Sequence, residues 1–365
     1  MIMILWFFRS ALISALFLMV CSTPSYGQAR NVILMIGDGM GPEQIRAAGM
    51  YAYGEAGTLV FEEFPFQTRM TTNSADHEVT DSAAAASAMA TGRKVNNGVI
   101  SIALPGDKTD VPTLLEQCKS FKKSTGLVTT VPITHATPAG FGAHDGSRQS
   151  DWEIAKDYLE RSRPEVLLGG GSLGMSKVAA DSSGYRMFWT AQALHDLDTE
   201  TAERVCGLFG TEIPFETDGV GGLPHLSQMA ERALRILDND PDGFFLMIEG
   251  GKIDWACHDN HLPRAIGEVI EFERAVRVVL NWAKGREDTL IIVTADHETG
   301  GLKIVKNNGV GNYPTVRWST KGHSSVKVPV YAWGVHAQRF SGSMDNTDIH
   351  KYILEAVTSK ETESK

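Results

Sequence analysis

Residues 244–258 read FFLMIEGGKIDWACH, and this stretch decides the fold. Its first five residues are apolar without a break, which is typical of a strand buried on both faces of a parallel sheet. Glu249 follows directly, and a carboxylate on a buried strand must be paired, protonated or bound to a metal. Asp254 and His258 stand at i, i+4 spacing, so on a helix they share one face and can chelate one ion, with zinc favoured by the ligand types. The stretch therefore predicts a buried strand followed by a helix that carries metal ligands.

Short apolar runs and helical patterns alternate along the rest of the 365-residue chain. This alternation indicates an α/β fold with a largely parallel sheet, and no linker divides it, so we expect one catalytic domain over residues 28–365 with loop insertions. The predicted strands are Asn31–Ile36, Gly126–Thr130, Glu165–Leu168, Phe244–Ile248, Leu290–Thr294 and Pro329–Trp333. The predicted helices are Ser82–Met89, Val111–Lys119, Asp151–Arg161, Ser227–Leu237 and Arg264–Trp282.

Two more of the predicted strands run into carboxylates. Asp38 follows the strand that starts at Asn31, and Asp296 with His297 follows the strand that starts at Leu290. Taken singly, Asp38 also fits a turn and Asp296 a helix cap. Ligands of open α/β sheets collect beyond the carboxyl ends of the strands, so three such strands together favour a metal site.

The charge balance limits the ligands. The chain has 34 basic and 44 acidic residues, a formal charge of −10, which disfavours nucleic acid and requires metals or arginine in any phosphate site. At the N-terminus, Arg9 precedes the apolar run SALISALFLMV and small residues follow up to Gly27. This pattern predicts a signal peptide over residues 1–27, too short for a membrane span, and hence periplasmic or secreted protein. A lipoprotein acylated at Cys21 is the alternative, although Val20 is bulky for that cleavage.

Three further side chains are candidates for phosphate chemistry. Ser82 lies at the start of a helix of small residues, where free N–H groups and the helix dipole favour an anion; an N-cap serine would look the same. Thr137 offers a hydroxyl to a hard cation such as magnesium. Arg148 could hold two phosphate oxygens, although a lone arginine after Asp-Gly-Ser is normally a solvated surface residue.

Six ordered segments resemble the alkaline phosphatase family. They are GDGMG at 37–41, VTDSAAAASAMATG at 79–92, THATPA at 134–139, EGGKIDWACH at 249–258, TADHETGG at 294–301 and GHSS at 322–325. The resemblance extends over nearly the whole mature chain. It implies a three-layer α/β/α sandwich, a homodimer, and nonspecific hydrolysis of small-molecule phosphate monoesters through a phosphoserine on Ser82.

The resemblance also implies three metal sites. Asp254, His258 and His323 would hold one zinc ion, and Asp38, Asp296 and His297 the second, with Ser82 approaching it. Asp38, Thr137 and Glu249 would hold the third ion, normally magnesium. Arg148 takes the role of the phosphate-binding arginine, and Asp81 orients it. The interval from His297 to His323 is short for the family, which predicts a reduced insertion and a more open site.

Two positions next to the phosphate site depart from part of the family. Some members have aspartate in place of His135, and lysine or histidine in place of Trp255. We expect His135 to make the third site softer, so that zinc or cobalt can replace magnesium. Because Trp255 removes a positive group near the phosphate, we expect the product to bind less tightly.

Rival functions differ in what they need from the sequence. A phosphodiesterase or nucleotide pyrophosphatase of the same superfamily would share the two zinc sites but usually lacks the third, and Glu249 and Thr137 are both present. A sulfatase needs a Cys-x-Pro-x-Arg segment, which the sequence does not contain. A non-catalytic phosphate- or metal-binding protein would not need every catalytic position filled. The sequence therefore favours a phosphate monoester hydrolase.

Overall fold

The computed structural model describes residues 27–171 and 174–359. The predicted signal peptide, apart from Gly27, lies outside the described residues. Within the described ranges, no helix is both long enough and apolar enough to cross a membrane.

The strands and helices follow one another along the whole described chain. The strands are β1 (Asn31–Gly37), β2 (Phe66–Thr71), β3 (Ser124–Pro132), β4 (Val166–Gly170), β5 (Arg186–Phe188), β6 (Val205–Leu208), β7 (Phe244–Gly250), β8 (Thr289–Thr294), β9 (Glu298–Thr299), β10 (Lys303–Lys306), β11 (Thr315–Arg317), β12 (His323–Ser324), β13 (Val328–Gly334) and β14 (Ser343–Asp345). The helices are α1 (Pro42–Tyr53), α2 (Ser82–Thr91), α3 (Leu114–Ser120), α4 (Ala136–Gly142), α5 (Asp151–Asp157), α6 (Lys177–Ser182), α7 (Ala191–His195), α8 (Leu226–Leu237), α9 (Lys252–His258), α10 (Leu262–Ala283) and α11 (Thr347–Thr358).

Ten strands form one sheet in the order β14-β2-β13-β8-β1-β7-β3-β4-β6-β5. Its strand pairs are parallel except those of β13, which runs antiparallel to both β2 and β8. The predicted largely parallel sheet is therefore confirmed. The four central strands β8, β1, β7 and β3 are almost entirely buried, which explains their unbroken apolar sequences.

The helices pack in two groups. One group gathers α1, α8 and α9 around α10, and the other gathers α3, α4 and α11 around α2. Both groups contact β3 and β7, so they cover opposite faces of the sheet. This arrangement is the expected three-layer α/β/α sandwich.

Some predicted boundaries were wrong for local reasons. The helix expected to start at Val111 starts at Leu114, because Thr113 is its N-cap and forms a capping box with Glu116. The helix expected over Asp151–Arg161 ends as an α-helix at Asp157 and continues as a short π-helical turn. The strand expected at Pro329 is present as β13, but it runs antiparallel to its neighbours β2 and β8.

The segment between His297 and His323 folds into two small sheets. β10 pairs with β11, and β12 pairs with β9. In the second pair His323 lies opposite Thr299, which brings it back beside the end of β8. This antiparallel pairing thus places His323, which is distant in sequence, near the carboxyl end of β8 in the main sheet.

Candidate active site

The site lies where the four central strands end. Glu249 is the penultimate residue of β7, Asp38 directly follows β1, and Asp296 and His297 follow β8. Ile36 is in register with both Glu249 and Thr294, so the three strand ends are level. Thr137 lies at the start of α4, just beyond β3. The carboxylates that lie at separate strand ends in the sequence therefore come together at the carboxyl ends of the central strands.

Asp254, His258 and His323 form the first group. Their potential ligand atoms lie within 4.8 Å of one another, and the Nε2 atoms of the two histidines are 3.2 Å apart. The Nδ1 atom of His258 bonds to the carbonyl of Lys321, and that of His323 to the carbonyl of Thr80. A carbonyl oxygen only accepts, so both Nδ1 atoms carry a proton and both Nε2 atoms face the group.

Two imidazole nitrogens that face each other at this distance need a cation or a proton between them. The hydrogen bond to Asp254 raises the pKa of His258 to about 9, so without metal His258 carries a second proton at neutral pH. Burial opposes ionisation of Asp254, but the hydrogen bond from His258 and the neighbouring histidines lower its pKa overall. The group therefore fits a divalent cation that displaces this proton.

Asp38, Asp296 and His297 form the second group, and all three are fully buried. The Nε2 atom of His297 lies 3.5 Å from an oxygen of Asp38 and 3.3 Å from an oxygen of Asp296. Both oxygens of Asp38 and one oxygen of Asp296 are buried without a hydrogen-bond partner in the described part of the chain. Burial and the charge of Asp296 raise the pKa of Asp38 well above its usual value.

Ser82 is the first residue of α2, and Asp81 is the N-cap. The carboxylate of Asp81 accepts a hydrogen bond from the amide of Ala84, so the serine hydroxyl is not used for capping. The Oγ atom of Ser82 lies 3.2 Å from Nε2 of His297. The hydroxyl therefore points into the second group.

Asp38, His135 and Glu249 form a third group. Burial raises the pKa of Glu249 to about 7, and burial together with the charge of Arg148 lowers the pKa of His135 to about 4. The hydroxyl of Thr137 is buried and lies close enough to Glu249 to stabilise its charged form. One oxygen of Glu249 has no hydrogen-bond partner among the described residues, as expected for a carboxylate that faces a cation.

Arg148 joins the third group to Asp81, the N-cap of α2. Its Nη1 atom lies 3.0 Å from Oδ2 of Asp81, and its Nη2 atom lies 3.3 Å from Nε2 of His135. The ring of Trp255 meets the ring of His135 edge-on, with 6.1 Å between the centroids. The structure thus brings together Asp81, Ser82, His135, Arg148 and Trp255 around the metal-binding groups.

Sequence reasoning missed two threonines that hold these groups. Thr299 donates to Asp254 and lies 3.2 Å from Nδ1 of His297, so it links the first group to the second. Thr129 donates to Glu249. Thr299 stands two residues after His297 and could have been found from that motif, whereas Thr129 reads as an ordinary strand residue.

Comparisons with known proteins agree with this geometry. The family described as alkaline phosphatase matches residues 29–316 and 303–359. The chain belongs to the alkaline phosphatase family. Alkaline phosphatase 3 of Bacillus subtilis is 33% identical over 417 residues, covering 90% of this chain and 89% of the relative. Membership makes this chain a phosphate monoester hydrolase, as the sequence predicted.

Solved structures of the family have the same fold. The alkaline phosphatase of the Antarctic bacterium TAB5 has a TM-score of 0.80 and 31% identity, and the match covers 91% of this chain and 98% of that one. A variant of the TAB5 enzyme, in which a histidine is replaced by aspartate, has magnesium bound in its M3 site. That variant gives a TM-score of 0.80 at 30% identity, with coverage of 91% and 99%.

The pKa shifts predict how the metal-free protein responds to pH. The raised pKa of His258 contributes stability below about pH 6.5 that is lost as the pH rises through about 9. Glu249 and Asp38, whose pKa values are raised, also lose protons with an unfavourable effect on the folded state as the pH rises. Chelated protein should therefore melt a few degrees lower at pH 9 than at pH 6.5 in thermal unfolding.

Glu249→Gln is the matched control, since glutamine does not titrate and the fall with pH should be smaller. Adding divalent metal should also reduce the fall, because the metal takes the place of the protons. A melting temperature of the chelated protein that rises from pH 6.5 to pH 9 would contradict this interpretation.

Proposed function

We propose that this chain hydrolyses phosphate monoesters through Ser82, with two zinc ions and a third metal held by the three groups described above. The observation that carries the proposal is the set of buried oxygens without partners on Asp38, Glu249 and Asp296. Burying such carboxylates in one place is unfavourable unless cations neutralise them. The nearby hydroxyl of Ser82 is the one nucleophile that the family resemblance assigns to this point.

The chain's own residues account for the chemical steps. Oγ of Ser82 forms a bond to phosphorus, the bond from phosphorus to the ester oxygen breaks, and the alcohol leaves with a proton. A water molecule then attacks the phosphoserine, which releases inorganic phosphate and restores Ser82. Arg148, oriented by Asp81, binds the phosphoryl oxygens. Bound divalent metals supply Lewis acidity to the attacking and departing oxygens.

The ligand types support the proposed identity of the metals. The first two groups combine histidine with aspartate, which suits zinc. Thr137, Asp38 and Glu249 offer oxygen to the third ion, which suits magnesium, whereas His135 adds a nitrogen that suits zinc or cobalt. The proposed effect of this histidine on the choice of metal is supported by the TAB5 variant, which has aspartate instead of a histidine and binds magnesium in its M3 site.

We further propose that the protein is exported as a single-domain enzyme and works as a homodimer. The support for export is the signal-like sequence of residues 1–27, and the support for a dimer is the family resemblance. No residue of the site is assigned to the leaving group, which supports low selectivity among monoesters. N-terminal sequencing of the exported protein and light scattering test export and the dimer; an uncleaved N-terminus or a monomeric mass would contradict them.

Ser82→Ala should lower monoester turnover by roughly 10³-fold or more, because it removes the nucleophile. It should also abolish covalent labelling when a labelled phosphate monoester is quenched with acid. Ser87→Ala is the matched control: Ser87 lies on the same helix, bonds to Val99 and Ser101, and is outside the site. Undiminished hydrolysis or labelling in Ser82→Ala would show that the nucleophile is another residue.

His135→Asp should change the metal preference of the third site toward magnesium. Chelated wild-type protein is reconstituted with zinc plus magnesium or zinc plus cobalt, and cobalt should give the higher activity because imidazole prefers the softer ion. The variant should reverse this order. Equal activity of the wild type with both mixtures, or a wild-type preference for magnesium, would rule out a softened third site.

Trp255→Lys should bind inorganic phosphate severalfold more tightly, because it adds a positive group near the product. The inhibition constant for phosphate measures this effect, and Trp255→Phe serves as the control that changes the ring without adding charge. The proposal on product release fails if both variants have the inhibition constant of the wild type.

A further inference from the structure

Lys252 is a buried cation that the reaction described above does not use. It is the first residue of α9, the helix that carries Asp254 and His258, and its side chain is only 1% exposed. Its Nζ atom lies 2.7 Å from a carboxylate oxygen of Glu212. The same atom lies 4.2 Å from the ring centroid of Phe215 and 4.3 Å from that of Trp255. Two aromatic rings and one carboxylate thus enclose the ammonium group, and we call Lys252, Glu212, Phe215 and Trp255 the lysine cage.

The lysine cage joins two parts of the chain that are far apart in sequence. Glu212 and Phe215 belong to the irregular segment after β6, whereas Lys252 and Trp255 belong to α9. The guanidinium of Arg264 also lies 4.4 Å from the ring centroid of Phe215. Cation–π contacts strengthen when the cation is removed from water, so the buried ammonium is a strong link between the two parts.

One face of the cage leads to the third metal-binding group. Trp255 contacts the lysine through its ring and meets His135 edge-on, at an interplanar angle of 70°. A change that moves the indole of Trp255 therefore also changes the surface against which the imidazole of His135 packs.

His135 is held differently from the three histidines of the first and second groups. His258, His323 and His297 are each oriented through Nδ1, by a carbonyl in two cases and by the Thr299 hydroxyl in the third. In His135, Nε2 lies 3.3 Å from Nη2 of Arg148, whereas Nδ1 is buried without a hydrogen-bond partner among the described residues. Outer contacts of this kind normally fix the orientation of a metal-binding histidine. For His135, the contact with Arg148 and the packing against Trp255 share that role.

We propose that Lys252 is a positioning residue for the third metal site: with Glu212 and Phe215 it fixes the indole of Trp255, which in turn fixes the ring of His135 toward Asp38 and Glu249. This inference rests on the proposed assignment of His135 to the third site. The ammonium group of Lys252 is enclosed by the cage and is not assigned to substrate or metal binding. Its effect is expected on the affinity and geometry of the third ion, with the first and second groups left intact.

The test replaces the cation and keeps the length of the side chain. Wild-type protein and Lys252→Met are chelated, loaded with two equivalents of zinc, and titrated with cobalt while the visible absorption of the cobalt is recorded. Lys252→Met should bind cobalt roughly tenfold more weakly and with an altered spectrum. Lys252→Arg, which keeps a cation between the rings, should restore both the affinity and the spectrum.

Lys123→Met is the matched control for the loss of a buried lysine. Lys123 is 5% exposed, and its Nζ atom bonds to the carbonyls of Arg30 and Asp242, at the start of β3 and far from the site. This variant should lower the melting temperature without changing cobalt binding. If Lys252→Met folds poorly, Glu212→Gln weakens the cage from its solvent side and should produce a smaller change in the same direction.

The result that overturns the proposal is a Lys252→Met or Glu212→Gln protein that is less stable but has wild-type cobalt affinity and spectrum. His135→Ala, titrated in parallel, separates this failure from that of the site assignment. If His135→Ala weakens cobalt binding and Lys252→Met does not, only the role of Lys252 is wrong. If His135→Ala also has no effect, the assignment of His135 to the third site is wrong.

Discussion

The structure depends on one electrostatic constraint: buried carboxylates meet at the ends of adjacent parallel strands without enough protons or donors to satisfy them. Asp38 is completely buried, and neither of its oxygens has a hydrogen-bond partner among the described residues. Asp296 and Glu249 lie beside it, and each raises its pKa. Such a cluster is unfavourable as a set of anions, so the fold fits divalent cations at its centre. Metal binding and stability are consequently coupled in this chain.

The sequence predicted most of this cluster because a parallel sheet aligns strand ends. The apolar runs that form β1, β7 and β8 are easy to recognise, and each is followed within a few residues by a carboxylate. Once these strands are adjacent and in register, the carboxylates that follow them necessarily lie close together. Asp254 and His258 were equally legible, because one turn of α9 places them on the same side. His323 was weak by this reasoning, since its position depends on the pairing of β12 with β9.

The remaining features could not be predicted because they depend on contacts between distant segments with no local pattern. Lys252 reads as an ordinary polar residue at the start of a helix, and Glu212 and Phe215 lie in the least regular part of the chain. Nothing in either segment indicates that a buried ammonium will lie between two rings. The antiparallel direction of β13 is hidden for a similar reason: a buried apolar strand has the same composition whichever way it runs.

At the start of α2, two neighbouring residues divide helix capping and the proposed chemistry between them. A helix needs a side chain that accepts hydrogen bonds from its first amides, and from the sequence Ser82 could have served this purpose. Asp81 fills that need with one carboxylate oxygen and binds Arg148 with the other. Ser82 is therefore free of the capping role and turns its hydroxyl toward His297. Because one aspartate both caps the helix and orients the arginine, the positions of the proposed nucleophile and of the phosphate-binding group are set together.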